Sequence, residues 1–487
     1  MRHWFSVLSK SRFLAGLQCH RLLWWDVHDR DAPELVPDAG LQAIFDQGNL
    51  VGELARERFP GGILIPYDAR RVEATRAAIE GGATVLYEAA FLAGDVFAAV
   101  DILLREDAGW RLIEVKATNS VKPVHVSDAA IQLHVLECAG LSVHAVEIMH
   151  LDRACRHPNL SNLFKRADIT ARARELLPTI PARVAEQVAV LRGALPVVPT
   201  GRHCHAPYPC PFQARCFPVL PPHHVSTLYG GGRRVADLLA EGIDRIDQIV
   251  EPLDGIRERQ RRAIQTGALV VEGDLGAALA PCLAPLAFLD FETVSPAVPR
   301  WPGCGPYEAV PVQFSVHVER DGGVEHREWL AEGPDDPRRP LALALLDACA
   351  GAHTVVAYNA PFERTAIEGL AAACPDLAAG LLGLSHRLVD LLPIVREHVY
   401  DPAFGGSFSL KAVLPALVGE GYGDLAIADG GLASVNLVRL LFEAVADGER
   451  VVLRKNLLAY CARDTWGLVL LFRRLRELAT GAQAQGA

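Results

Sequence analysis

Cysteine spacing constrains this chain more than any other feature. Cys19 stands alone near the N-terminus, while Cys204, Cys210 and Cys216 crowd into the stretch HCHAPYPCPFQARC. Pro207, Pro209 and Pro211 make that stretch a stiffened loop rather than a helix. Soft thiolates at this density suit an iron–sulfur cluster or zinc. A centre fed by one early and three late thiolates would staple the ends of a long unit together, closing a loop around everything between. A zinc site could instead take three cysteines with His203 or His205. Among the eleven cysteines, Cys138, Cys155, Cys282, Cys349, Cys374 and Cys461 sit singly in apolar or helical contexts and read as small core residues.

With 487 residues the chain exceeds one ordinary core, which predicts two or three domains. A hydrophobic share of 50% makes it globular. No apolar run reaches membrane-spanning length, and the start, MRHWFSVLSKSRF, lacks the pattern of a signal peptide. The expectation is a cytoplasmic protein with no membrane partner. A formal charge of −10 excludes a broadly basic nucleic-acid coat, so any basic track must be local. Arg257, Arg259, Arg261 and Arg262 form one such cluster, and Arg233 with Arg234 another.

The pattern predicts an α/β multidomain protein. TVLYEAAF, VFAAVDILL and WRLIEVKAT are three short strand-like runs separated by Gly-containing turns, followed by a helix over 127–139 and the strand HAVEIMHL. A long helical stretch is expected over about 166–194. Pro221-Pro222 marks a boundary, which sets a first domain at 1–222. Residues 223–280 read as a small helical module. Within it LYGGGRRVADLLAEGI is similar to a helix-hairpin-helix, a motif that meets DNA backbone through turn amides. A second α/β unit, 281–480, opens with LAFLDFET, and 481–487 is expected to be a mobile tail.

Phosphodiester hydrolysis needs a metal to neutralise developing charge and a base or cation near the attacking water. Asp101 at the end of one strand, with Glu114 and Lys116 two apart on the next, supplies both. This is the pattern of the PD-(D/E)xK nucleases and more narrowly resembles their RecB-type branch, which Glu88 and Gln132 also match. The resemblance implies Glu88, Asp101 and Glu114 as ligands of Mg²⁺ or Mn²⁺, with Lys116 and Gln132 in catalytic roles. RecB-type enzymes carry a histidine on the early helix, where GNLVGELA offers only Gly48 and Gly52. Cys19, Cys204, Cys210 and Cys216 are placed as in the iron–sulfur nucleases related to RecB, which implies a [4Fe–4S] cluster, with Zn²⁺ as the alternative.

FLDFET places Asp290 and Glu292 on one face of a buried-type strand, with Phe291 inward. AYNAPFE brings Glu363 to the start of a helix, and YCARDT sets Tyr460 and Asp464 four apart on one helical face. These motifs, in this order, resemble the DnaQ-like exonucleases of the RNase H-like fold, in their DEDDy branch. The resemblance implies a 3′–5′ exonuclease domain in which Asp290, Glu292, Glu363 and Asp464 hold Mg²⁺ or Mn²⁺ and Tyr460 orients water. Glu363 stands where that family has aspartate. Asp390 and the turn Ser409 to Lys411 also fall where the family has them. As a whole the chain is similar to a bacterial family joining an iron–sulfur RecB-like nuclease to a DnaQ-like domain. That implies an exonuclease on single-stranded DNA ends, or on RNA, in repair or defence, with a helicase as a possible partner. The alternative is a catalytically weakened scaffold that grips nucleic acid.

Overall fold

The computed structural model describes residues 8–320 and 323–485, with side chains placed as far as residue 481. The chain is a mixed α/β protein that divides into two compact units, Met1–Pro218 with Pro296–Glu308, and Val219–Ser295 with Ala309–Ala487. The first is therefore not the contiguous 1–222 that the sequence suggests. It also takes in a short stretch from the middle of the chain. The helical residues 223–280 do not stand apart either, because they cluster with the second unit.

The first unit is built on strands β1 (Leu8–Ser9), β2 (Ile63–Leu64), β3 (Val85–Ala93), β4 (Val96–Glu106), β5 (Gly109–Lys116), β6 (Val143–Leu151) and β7 (Phe164–Asp168). They form one sheet in the order β2-β3-β4-β5-β6-β7, with β1 pairing β4. The β3–β4 and β4–β5 pairs are antiparallel, as tight Gly-containing turns require, whereas β5 and β6 run parallel across a helical crossover. Helices α1 (Lys10–Gln18), α2 (His20–His28), α3 (Ala39–Arg56), α4 (Arg71–Glu80), α5 (Pro123–Cys138), α6 (Thr170–Leu176), α7 (Ile180–Arg192) and α8 (Gln213–Cys216) complete it. The crossover is α5, whose Val126, Ile131 and Leu133 pack on Leu103, Leu112 and Val146 of one sheet face. Alternate strand residues, Ile102, Ile113 and Met149, meet Ala55 of α3 on the other. The expected helical stretch over about 166–194 is helical from Thr170 to Arg192, as α6, a short 3-10 turn and α7, while its first residues belong to β7. The strand pairs β6 through Glu147↔Asp168 and Leu151↔Phe164, and alternation over five residues is too short to read against a helical pattern.

In the second unit, helices α9 (Gly232–Ala240), α10 (Gly255–Thr266) and α11 (Leu275–Leu279) precede the sheet, with strand β8 (Val270–Val271) among them. Then come β9 (Leu286–Val294), β10 (Val310–Arg320), β11 (Gly323–Leu330), β12 (Thr354–Ala357), β13 (Leu388–Asp390) and β14 (Val399–Tyr400). The sheet order is β11-β10-β9-β12-β13, antiparallel from β11 to β9 and parallel from β9 to β13. Pairing of β8 with β14 ties the helical stretch to this unit. Helices α12 (Arg338–Ala348), α13 (Pro361–Ala373), α14 (Ala378–His386), α15 (Leu391–His398), α16 (Leu410–Val418), α17 (Gly430–Phe442) and α18 (Asp447–Gln485) follow. Leu289 and Phe291 pack with Leu341, Leu345 and Ile367 on one face, while Phe288 meets Phe472 of α18 on the other. The expected mobile tail over 481–487 is helical as far as Gln485, and residues 486–487 lie outside the described residues.

The arginine cluster on α10 is not a free basic track. Arg257 pairs with Asp254 at 2.7 Å, Arg259 with Glu272 at 3.0 Å, Arg261 with Glu258 at 2.6 Å, and Arg262 also with Glu272. Among the described residues no helix is long and apolar enough to cross a membrane.

Candidate functional site

Three clusters of chemistry-bearing side chains stand out, two in the first unit and one in the second. In the first unit β4 and β5 bring Asp101 beside Glu114 and Lys116. The β3–β4 pairing runs from Tyr87↔Ile102 to Ala89↔Val100, so Glu88 and Asp101 face each other at the unpaired step between. Glu88 takes a left-handed backbone there, with φ 55°. Glu88, Asp101, Glu114 and Lys116 line one open cavity of about 610 Å³, whose opposite wall is Ile44, Phe45, Gly48 and Gly52 of α3. A Cβ added at Gly48 or Gly52 would meet no atom within 4 Å.

Glu114 is buried and fully engaged. Its Oε1 accepts from Lys116 Nζ at 2.7 Å and from Lys10 Nζ at 2.8 Å, and its Oε2 accepts from Gln132 Nε2 at 2.8 Å. Gln132 is one helical turn from Asp128 on α5, and Asp128 accepts from Lys116 at 2.6 Å. Burial works against the Glu114 charge, but Lys10 and Lys116 outweigh it and hold the carboxyl well below its ordinary range. Asp101 goes the other way: burial, then the Glu114 charge, push it up to about 7. Its Oδ2 accepts from the Val115 amide at 2.7 Å. Glu88 is the outlying member, more exposed and 3.8 Å from Arg56. Sequence reading missed Lys10 and Asp128. Lys10 could not have been found by spacing, since it reaches Glu114 from a helix 104 positions away. Asp128 could have been, because it lies at i−4 from Gln132 on the same helix.

The cysteines also converge. Cys19 sits in an extended step between α1 and α2, and Cys204 in a single turn. Both line one cavity with Cys210 and Cys216, beside Trp25 and His203. Burial, then the neighbouring Cys19, Cys216 and Cys204 sulfurs, push the Cys210 thiol up. The loop is anchored by Gln18 Nε2, which donates to the carbonyls of His203 and Tyr208, each at 2.8 Å, and by Arg215 on Glu34 at 2.7 Å. Among the described residues no three of these sulfurs and the adjacent imidazoles fall within 4.8 Å of one another. A tetrahedral zinc would draw its thiolates to about 3.8 Å.

In the second unit Asp290 and Glu292 lie on the β9 face toward α18, with Phe291 in the core on the other. One carboxylate oxygen from each of Asp290, Glu292 and Asp464 lies within 4.8 Å of the others. Glu363 is delivered by a turn built for it. Asn359 takes φ 73°, which asparagine tolerates better than most residues, and donates its N–H to Asp390 Oδ1 at 2.9 Å. Pro361 then opens α13, with Glu363 in its first turn. Glu363 is 2% exposed, and its Oε2 has no hydrogen-bond partner. Burial, then Asp464, Glu292 and Glu363 in turn, raise Asp290 well above the carboxylate range. Burial lifts Glu292 and Glu363 each to about 8. Such crowding of buried carboxylates is costly without a cation between them.

Tyr460 lies over the same cluster, and Lys411 Nζ stands 5.3 Å from its ring centre. Two residues that the sequence did not single out join them. Tyr422 donates its hydroxyl to Asp464 Oδ1, and the Cys461 thiol lies 3.6 Å from Asp290 Oδ2. Asp390, whose place in the sequence matched a family position, caps α15 by accepting from Leu392 N at 3.0 Å.

A family model described only as a domain of unknown function, DUF2779, matches residues 287–409. The match takes in Asp290, Glu292 and Glu363 and ends before Tyr460 and Asp464. No curated protein matches the chain.

Proposed function

We propose that the chain is a metal-dependent phosphodiesterase acting on nucleic acid, with one centre in each unit. The observation that carries this reading is the convergence of Asp290, Glu292 and Asp464 within 4.8 Å, with a buried Glu363 nearby whose Oε2 has no hydrogen-bond partner. Asp290, Glu292 and Asp464 fit a divalent cation, and their donor set of hard oxygens suits Mg²⁺ or Mn²⁺. A bound cation would supply charge neutralisation on the phosphate and an activated water. Tyr422 holds Asp464 in place, Tyr460 stands where it can orient a water, and Lys411 brings positive charge near the scissile group. Glu363, one methylene longer than aspartate, lies in the first turn of α13, near enough for its charge to raise Asp290.

The second unit is read as an RNase H-like, DnaQ-type exonuclease and the first as a RecB-like PD-(D/E)xK nuclease. Asp101, Glu114 and Glu88 do not fall within 4.8 Å of one another and would have to draw together to hold the first unit's cation, with Lys116 and Gln132 ordering its surroundings. Cys19, Cys204, Cys210 and Cys216 line one cavity, and four thiolates suit an iron–sulfur cluster, which would supply a cross-link that closes the unit. Single-stranded ends are the substrate class that suits such sites, in a repair or defence setting.

One observation favours a weaker reading for the first centre alone. Both Glu114 oxygens are already taken by lysines and glutamine, and α3 presents glycines where a ligand would stand. There the unit would grip a strand more than cut it. Release of nucleotides from end-labelled single strands in Mn²⁺, by the full chain and by Asp101→Ala and Asp290→Ala, tests both centres. Loss in one variant assigns the activity. An inactive wild-type chain on DNA and RNA would leave the scaffold.

A further inference from the structure

The first unit borrows residues 296–308 from the connection between β9 and β10. Irregular connections ordinarily run over a surface, because buried ones strand backbone polar groups. This one is buried at Ala297, Val298, Trp301 and Cys304, and its backbone is correspondingly satisfied. Gly303 N donates to His157 O at 2.8 Å, His157 N returns to Cys304 O at 3.0 Å, and Tyr307 N closes the loop on Pro296 O at 3.0 Å. Ala297 and Val298 share one apolar cluster with Val51 of α3 and Leu151 of β6, and Val115 and Ala117 at the end of β5 pack against it.

Two side-chain hydrogen bonds fasten this strap to opposite walls of the first cavity. Ala297 N donates to Gln47 Oε1 at 2.8 Å, and Gln47 adjoins the cavity-lining Gly48 on α3. Tyr307 donates its hydroxyl to the carbonyl of Ala117 at 2.7 Å, one residue beyond Lys116. Tyr307 does so from φ 59°, a left-handed backbone region that is strained for a bulky residue. The far end of α3 has its own anchor, since the Tyr87 hydroxyl lies against the carbonyls of Arg56 and Phe59 where the helix ends. Where Gln47 sits, the strap supplies the corresponding hold.

We infer that the 296–308 strap is a brace setting the separation between α3 and the Glu114–Lys116 strand, which makes Gln47 and Tyr307 positioning residues for the first centre. The inference rests on reading that centre as a phosphodiesterase site. Neither residue touches the acids. They act through the two walls, and a misplacement of reacting groups by an ångström costs about 100-fold in rate.

The test uses the full chain carrying Asp290→Asn, so that only the first centre is read. Mn²⁺-dependent hydrolysis of an end-labelled single-stranded oligonucleotide gives kcat and KM. Hydrogen exchange is followed over 41–56 and 113–119. Tyr307→Phe and Gln47→Ala are expected to lower kcat by about 10- to 100-fold with KM little changed, and to speed exchange in both segments. Gln47→Glu keeps the acceptor and should restore kcat. Unchanged kcat in both variants, or Gln47→Glu as impaired as Gln47→Ala, overturns the brace. If the parent is inactive, the phosphodiesterase reading of the first centre has failed. The brace is then decided by exchange: faster in both segments upholds it, and unchanged exchange ends it.

Discussion

The hydroxyl of Tyr422 donates to the carboxylate of Asp464, the acid that α18 contributes to the second unit's carboxylate cluster. Tyr422 lies in the loop after α16 and is buried, so the bond is shielded from water. It fixes which Asp464 oxygen remains free for a cation. Removing such an outer partner typically costs about 10- to 100-fold in metal affinity. Tyr422→Phe should weaken Mn²⁺ binding by that factor in calorimetric titration, with the fold retained. Affinity equal to that of the unaltered chain would remove Tyr422 from the centre.

The acid cluster predicts opposite pH trends with and without metal. Burial lifts Glu292 and Glu363 to about 8 and Asp464 to about 6, all above their unfolded values. In the metal-free chain these groups therefore stabilise most below the unfolded carboxylate range, and that contribution is lost as pH rises through about 6 to 8. A cation displaces the same protons, so Mn²⁺ affinity should rise across the same window. Melting temperatures followed from pH 5.5 to 8.5 should fall without Mn²⁺ and converge upward with it. Parallel curves in both conditions would separate the acids from metal binding.

Lys10 tests whether Glu114 depends on a residue far away in sequence. Glu114 is 1% exposed and shares one oxygen between Lys10 and Lys116. Lys10→Met leaves it with one cation. Breaking a buried pair costs several kcal/mol; with Lys116 remaining and Lys10 partly exposed, roughly 1–3 kcal/mol is expected. Urea denaturation of Lys10→Met, Glu114→Gln and the double variant should show a smaller Lys10 effect once Glu114 is neutral. Strict additivity would mean the two side chains are not coupled.

The strand-borne acids were legible because strand geometry fixes their relations locally. Two-residue spacing puts Glu114 with Lys116, and Asp290 with Glu292, on common faces, and the helix repeat does the same for Tyr460 and Asp464. What stayed hidden was set by tertiary folding. Lys10, Tyr422 and Gln47 reach their partners across 104, 42 and 250 positions, and no periodicity encodes such meetings. The first unit's boundary was hidden for the same reason. Residues 296–308 have ordinary loop composition, and only their burial reveals where they belong. The arginines of α10 read as a basic patch until the structure paired them with Asp254, Glu258 and Glu272.

The proposed thiolate centre can be separated from incidental cysteines. Cys19→Ser should lower bound iron and the visible absorbance of anaerobically purified protein, and should destabilise the unit that the staple closes. Exposed Cys138, which lies near His134 four residues earlier, is the control, and Cys138→Ser should leave both unchanged. A colourless wild-type preparation holding one zinc per chain would replace the cluster with a mononuclear site.

Gly52 offers a gain-of-function test of the first centre. It lies inside α3, lines the cavity with Asp101 and Glu114, and has no atom within 4 Å of where a Cβ would stand. Its helical backbone can accept any ordinary residue, and replacing a mid-helix glycine by histidine recovers only about 0.3 kcal/mol, since histidine is itself a modest helix former. Histidine there would place an imidazole in the cavity opposite Asp101, adding a neutral nitrogen ligand to a set that now has only carboxylates. Gly52→His should therefore tighten Mn²⁺ binding in an Asp290→Asn background and raise any hydrolysis assigned to Asp101, while leaving the melting temperature unchanged or slightly higher. The rise in affinity should vanish when Asp101→Ala is combined with it. Tighter binding that survives the loss of Asp101 would place the new ligand outside the acid–lysine cluster, and no change in either quantity would mean that α3 does not face a cation site.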